Sequence, residues 1–117
     1  MILVGDSMPK ASFQVIPLGN RQVKLVAVLK DSSGNPVSGK AIAFLHKLST
    51  DTTWTNDGTV NTDSTGTATM TITLTVPNTY DFQASFAGDS QYEASSASVT
   101  NYTVKDKTTL TLTVEPQ

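Results

Sequence analysis

The chain has 117 residues, a net charge of −2 and a pI of about 5.1, which fits one domain with a modest hydrophobic core. This charge leaves no basic patch for nucleic acid, and the absence of cysteine excludes disulfides and zinc sites built on thiolates. We therefore expect no nucleic-acid partner. We also expect no membrane insertion, because no apolar stretch is long enough to span a bilayer.

The chain begins with an apolar cluster, Ile2, Leu3 and Val4, which is interrupted by Asp6. No basic region precedes this cluster, so it does not have the pattern of a secretion signal. We assign residues 1–9 to an N-terminal arm and residues 10–105 to a single domain. Residues 106–117 then form an extra C-terminal strand or the start of a following repeat.

From residue 12 to residue 104, apolar and polar residues repeatedly alternate, as in half-buried strands. A short first strand contains Phe13 and Val15 and ends at Pro17. The clearest run extends from Ala68 to Val76, and threonine occupies every intervening position. Turn clusters at residues 31–36, 56–58, 63–66, 77–78 and 88–90 separate the runs. A strand over residues 97–104 closes the domain.

This spacing predicts an all-β fold of about seven antiparallel strands in two sheets, with no helix longer than two turns. Each strand turns one parity of its residues toward the core. The residues that we expect to be buried are Leu25, Phe44, Met70, Ile72, Leu74, Phe82 and Phe86.

A further alternating run follows the domain, with Leu110, Leu112 and Val114 between threonines. Val114 lies 99 positions after Val15 (114 minus 15), and Leu112 lies equally far from Phe13. An offset of about one immunoglobulin domain is what a second repeat would produce. The alternative is an extra strand of the same domain.

Three segments in order, residues 23–39, 66–70 and 86–95, resemble the motifs of bacterial immunoglobulin-like (Big) repeats. The resemblance extends over roughly residues 10–104 and implies an immunoglobulin-like antiparallel β-sandwich. It also implies a setting, because such repeats occur in surface adhesins, in S-layer-associated proteins and on phage capsids and tails. It implies no ligand, since a fold does not determine a function.

Residues that would support catalysis or metal binding are few. His46 is the only histidine, and no serine motif accompanies it, so we interpret it as a strand residue and predict no enzymatic activity. Asp57, Asp63 and Asp89 lie singly in predicted turns, where aspartate usually accepts hydrogen bonds from backbone amides. A calcium site needs several acidic oxygens together. We therefore expect no catalytic residue, cofactor or metal.

Two features point to contacts with other molecules. Val26 and Val28 occupy the parity of the second strand that should face water, which indicates that a loop, the extra strand or another protein covers this sheet. Trp54, the only tryptophan, lies in a polar run and is a weak candidate for stacking on a sugar ring, although packing within the domain is the favoured interpretation.

The sequence therefore favours a structural module that decorates or spaces a virion or a cell envelope, located on the virion surface or the cell surface. Its partners would be other protein subunits, and the candidate contacts are Ile2, Leu3, Val4, Val26, Val28, Leu110, Leu112 and Val114. Because apolar ends left in water would be sticky, at least one end should add as a strand to another subunit. The alternative is an adhesive or carbohydrate-binding repeat, with a glycan as ligand.

Overall fold

The computed structural model describes residues 9–106, 110 and 112–114, and within them it contains seven strands and no helix. The alternating residues form strands because one face of each can be buried while the other meets water. The strands are β1 (Lys10–Gly19), β2 (Gln22–Lys30), β3 (Ala41–Leu48), β4 (Thr55–Asn61), β5 (Thr67–Thr73), β6 (Asn78–Phe86) and β7 (Ser95–Val104).

The strands form two antiparallel sheets. One has three strands in the order β1-β2-β5, and the other has four in the order β4-β3-β6-β7. Strands β1 and β7 lie along one side of the sandwich, and β4 and β5 lie along the other. The predicted fold class, an antiparallel sandwich of seven strands, is confirmed.

The core lies between the sheets and consists mainly of the inward parity of β2, β3 and β6, with further buried residues at Val37, Ala68, Leu74 and Val104. Of the seven residues expected to be buried, Leu25, Phe44, Leu74, Phe82 and Phe86 are at most 4% exposed. Met70 and Ile72 pack against this core but are only half-buried, so the prediction of full burial was wrong for them. Both belong to β5, which has a neighbour on one side only.

Three edge strands, β1, β4 and β7, contain a register shift in which the strand has one extra residue, as in a β-bulge. Phe44 and Leu45 of β3 lie opposite Gly58 and Asn56 of β4, so Asp57 is the extra residue in β4. The turn predicted at residues 56–58 was therefore wrong, because these residues kink a strand instead of ending one. The Asn56 side chain stabilises the kink by accepting a hydrogen bond of 2.8 Å from the Gly58 amide.

The turn between β1 and β2 was absent from the predicted turn clusters. Strand β1 continues past Pro17 to Gly19, and the two-residue turn at Asn20 and Arg21 has φ values of 53° and 65°. Positive φ at both positions is typical of the type I′ hairpin turn, whose twist matches that of the strands.

The Arg21 side chain fastens this turn to two other segments. It donates to the carbonyl oxygens of Leu74 and Thr75 at 3.3 and 2.7 Å, and its Nε lies 2.6 Å from the Asp106 carboxylate. The segment after β7 is thereby held at the same end of the sandwich as the β1–β2 turn. These contacts also explain why a residue other than glycine is tolerated at positive φ.

Candidate functional site

The candidate contact surface lies on the outer face of the three-stranded sheet, which we call the valine face. Val26 lies between Gln14 of β1 and Thr69 of β5, and Val28 lies between Ser12 and Thr67. Both valines point away from the core, because Leu25, Ala27 and Leu29 take the inward parity of β2. Each remains half-exposed. The surface is therefore a short apolar strip with uncharged polar side chains on the strands to either side.

The surface is not smooth. One open depression beside the strip is lined by Ser12, Phe13, Gln14, Val26 and Val28. A second depression continues it toward the end of the sheet, where Lys10 and Lys30 lie directly opposite each other beside the loop of residues 31–34. The valine face thus consists of two adjacent valines with Lys24 at one end of the pair and Lys30, opposite Lys10, at the other.

Three candidate residues of the C-terminal segment are exposed. Leu110, Leu112 and Val114 are 97%, 86% and 82% exposed and belong to no strand. They therefore do not cover the valine face. The other terminal candidates, Ile2, Leu3 and Val4, lie outside the described residues.

His46 lies in β3 and pairs with Asp57. Its Nδ1 donates to the Asp57 carboxylate, with both oxygens at 2.7 Å, and its ring packs 6.0 Å from the Tyr80 ring and 6.4 Å from the Phe82 ring. The β4 bulge brings Asp57 to this position, and sequence spacing alone did not reveal the pair. A triad would need a hydroxyl beside the other ring nitrogen. Among the described residues, no Ser, Thr or Tyr hydroxyl hydrogen-bonds to His46.

The acidic residues considered for calcium are separated from one another. Asp57 pairs with His46. Asp63 accepts hydrogen bonds within its own turn, and those from Thr65 are the main cause of the lowered pKa of Asp63. Asp89 pairs with Lys40 at 2.5 Å, and this contact together with two backbone amides lowers its pKa to about 2. Within residues 9–106, 110 and 112–114, no three acidic or histidine side chains are grouped as a metal site would require.

Trp54 lies just before β4 and is half-exposed. The Lys47 ammonium group is 5.2 Å from the centre of its ring, and the same group is 3.0 Å from the Asp81 carboxylate and 2.9 Å from the Asp51 carbonyl oxygen. The cation therefore occupies one face of the ring. At most the opposite face remains for stacking on a sugar.

Asp81 is a structural residue that the sequence did not single out. It lies on the outward parity of β6, yet it is only 9% exposed. Its carboxylate accepts hydrogen bonds from the Asn101 amide, the Ser49 hydroxyl and the Lys47 ammonium at 2.9, 2.7 and 3.0 Å. These bonds, with that of Asn101 as the largest cause, lower the pKa of Asp81 to about 2. Because Asn101 lies in the β7 bulge, Asp81 holds this irregular edge in place.

The arrangement defines an immunoglobulin-like β-sandwich whose smaller sheet carries the candidate contact surface. The chain belongs to the bacterial Ig-like domain (group 1) family, whose model matches residues 9–102. Such domains are generally non-catalytic structural modules and typically occur in extracellular or surface proteins. A search of curated proteins found no match. Among the described residues, no helix is long and apolar enough to cross a membrane.

Proposed function

We propose that the chain is a non-enzymatic assembly module of a virion or cell-envelope surface, which docks on neighbouring protein subunits through its valine face. The observation that carries this proposal is the half-exposed pair Val26 and Val28, in the central strand of a sheet where their cross-strand neighbours are uncharged. Family membership supplies the surface setting. The module works passively: it is a stiff domain that holds neighbouring subunits at a fixed spacing.

Substituting the valine face tests the proposal. Full burial of an exposed valine contributes roughly 1.5–3 kcal/mol, and docking would bury the remaining half of both side chains, so the double variant Val26→Lys, Val28→Lys should lower surface occupancy by about tenfold. Occupancy is counted by immunogold electron microscopy of virions and intact cells from the source organism. A melting curve of each purified variant checks that it is folded.

The control is Gln83→Lys, which adds one positive charge, as each of the two valine substitutions does, in the centre of the other sheet, also on an outward, half-buried position. Occupancy should remain at the level of the unmodified chain. If Gln83→Lys removes the label and the double variant does not, the contact surface is the four-stranded sheet. If label is found only inside cells, the surface role is wrong.

The second candidate function, glycan binding, rests on Trp54 alone. Since Lys47 covers one face of this ring, we expect no glycan on an array to bind above background. Binding that disappears in Trp54→Ala and persists in Trp54→Phe would instead support the adhesive function, because stacking requires an aromatic face.

A further inference from the structure

The sandwich has four edge strands, β1 and β5 in one sheet and β4 and β7 in the other. Natural proteins protect such edges with bulges, prolines or charged side chains. Strand β1 carries Lys10, Pro17 and an irregular register near its end, β4 has the Asp57 bulge, and β7 has the bulge at Asn101. Strand β5 has none of these devices and pairs with β2 over seven residues without a register shift.

The hydrogen bonds at the two ends of β5 show which of its backbone groups remain free. The Leu74 amide donates to Arg21 and the Leu29 amide donates to Gly66, so residues 66, 68, 70, 72 and 74 turn their polar groups toward β2. The backbone N–H and C=O groups of the alternate residues therefore point away from β2, toward the free edge of the sheet. These residues are Thr67, Thr69, Thr71 and Thr73. Thr67 is already engaged by Asp63, through its amide and its carbonyl oxygen.

Three alternate residues, Thr69, Thr71 and Thr73, thus present one N–H and one C=O group each at the free edge of β5, with no hydrogen bond to any other described residue. The side of the sandwich beside them is also incompletely closed, since Met70 and Ile72 are half-buried there. An added strand at this edge would pair the polar groups and cover the two apolar side chains.

The C-terminal segment has the complementary pattern. Leu110, Leu112 and Val114 share one parity, which would face the core beside Met70 and Ile72, and Thr113 would face outward beside the β5 threonines. In the monomer these three apolar side chains are 82–97% exposed and not docked on their own domain. Strand and edge therefore both lack a partner within the described part of the chain.

We propose that the C-terminal segment around Leu112 of one copy adds as a strand to the β5 edge of a second copy. The inference rests on the proposed assembly function and names its partner, another copy of this chain. Because the donated segment and the accepting edge are different surfaces, the contact is head-to-tail and can continue from copy to copy.

Cysteine cross-linking tests this pairing directly, because the chain has no cysteine of its own. Two full-length variants, Thr71→Cys and Thr113→Cys, are purified separately, mixed and treated with a mild oxidant. Thr71→Cys and Thr113→Cys lie on the same outward face in the proposed pairing, and neighbouring residues of paired strands lie within disulfide distance. Thr69→Cys and Thr73→Cys report the adjacent registers.

We expect a disulfide-linked heterodimer, with a yield at least about tenfold above that of Thr113→Cys mixed with Ser98→Cys, because pairing raises the local thiol concentration. Ser98 is the matched control, since it is an exposed residue of the edge strand β7. Adding Thr71→Pro to the Thr73→Cys variant should abolish its cross-link, because proline cannot donate to an added strand.

Equal yields with Ser98→Cys, or no heterodimer in any register, would overturn the proposal. A chain carrying both Thr71→Cys and Thr113→Cys that closes an intrachain disulfide at low concentration, while the mixed variants do not cross-link, would assign the segment to its own domain. A positive cross-link in a protein found only inside cells rejects the surface role and leaves the pairing intact. Surface label without a cross-link supports the surface role and rejects the strand pairing.

Discussion

Strands β5 and β7 are both uncharged edge strands rich in small hydroxyl side chains, yet they end their sheets in different ways. In β7, residues 100 and 101 both lie opposite Asp81, and Asn101 adopts a φ of 56°. In β5 the pairing is regular from Thr67 to Thr73. The composition of an edge strand therefore does not decide whether a bulge protects that edge from pairing with a further strand. A single extra residue, held by a carboxylate on the neighbouring strand, makes the difference.

The largest expected effect compares the closed interior with the open side of the sandwich. Phe82→Ala should lower the free energy of unfolding by about 3–5 kcal/mol, because the ring is fully buried and contacts Tyr80 and Tyr102. Met70→Ala should cost less than about 2 kcal/mol, the lower limit for a fully buried methionine. Equilibrium urea unfolding measures both. Equal losses would show that the β5 side is closed as tightly as the core.

The next effect concerns Asp81, whose pKa is about 2 in the folded chain against an ordinary value of 3.8. A lowered pKa stabilises the fold at pH values above 3.8, and this contribution is lost as the pH falls through 3.8 toward 2. Asp81→Asn should therefore melt below the unmodified chain at pH 7, and the difference between their Tm values should shrink between pH 4 and 2. Asp51→Asn, on an exposed loop, serves as the control. A difference that stays constant with pH would contradict the ionic role of Asp81.

Asn101 allows a smaller test of the same edge. Asparagine tolerates the left-handed conformation, whereas alanine pays roughly 1–2 kcal/mol there, so Asn101→Ala should lower the free energy of unfolding by about 1 kcal/mol. Asn101→Gly relieves the steric cost and should remain close to the unmodified chain. Both variants keep the backbone amide that bonds Asp81. Chemical denaturation separates them, and a loss for glycine as large as that for alanine would show that the Asn101 side chain itself is needed.

The smallest effect on stability belongs to β5. Thr71→Lys should change the free energy of unfolding by less than about 0.5 kcal/mol, as for most exposed positions. It should nevertheless abolish concentration-dependent association in sedimentation velocity, because a lysine on an edge opposes strand addition. Ser98→Lys on β7 should leave association unchanged. Association that is the same in both variants would place the contact elsewhere.

The alternating patterns were sufficient to predict the strands other than β4, because period two directly reports which side chains are buried. The run from Ala68 was assigned correctly as a strand, and Leu74, although beyond the end of β5, is buried as expected. The pattern could not show strand order, however. Met70 and Ile72 follow the same parity as Leu74, but they lie on an edge strand with no neighbour on one side, and both are partly exposed. Val76, at the end of the same run, is 47% exposed because the strand stops at Thr73.

The irregular features were the least predictable. Asparagine, aspartate and glycine in sequence are typical of turns, and the same residues suit a bulge because both need unusual φ values. Gly58 has a φ of 135°, and a side chain there would meet the Met70 Cε at 3.0 Å, a contact between two sheets that local sequence does not encode. The His46–Asp57 pair depends on the same bulge. On the valine face, by contrast, the wrong polarity of Val26 and Val28 was visible in the sequence itself.

The ion pair between Arg21 and Asp106 has a mechanical consequence. Lys10, at the start of β1, lies beside the loop after β2, whereas Asp106 lies at the β1–β2 turn, so the described chain enters the sandwich at one end and leaves at the other. A pull on the two ends runs parallel to the strands and loads the hydrogen bonds of β1 with β2, and of β6 with β7, together in shear. The domain should therefore transmit tension as a short, nearly inextensible link. The Arg21–Asp106 ion pair lies at the end of the sandwich where the described chain leaves it, so it bears this tension.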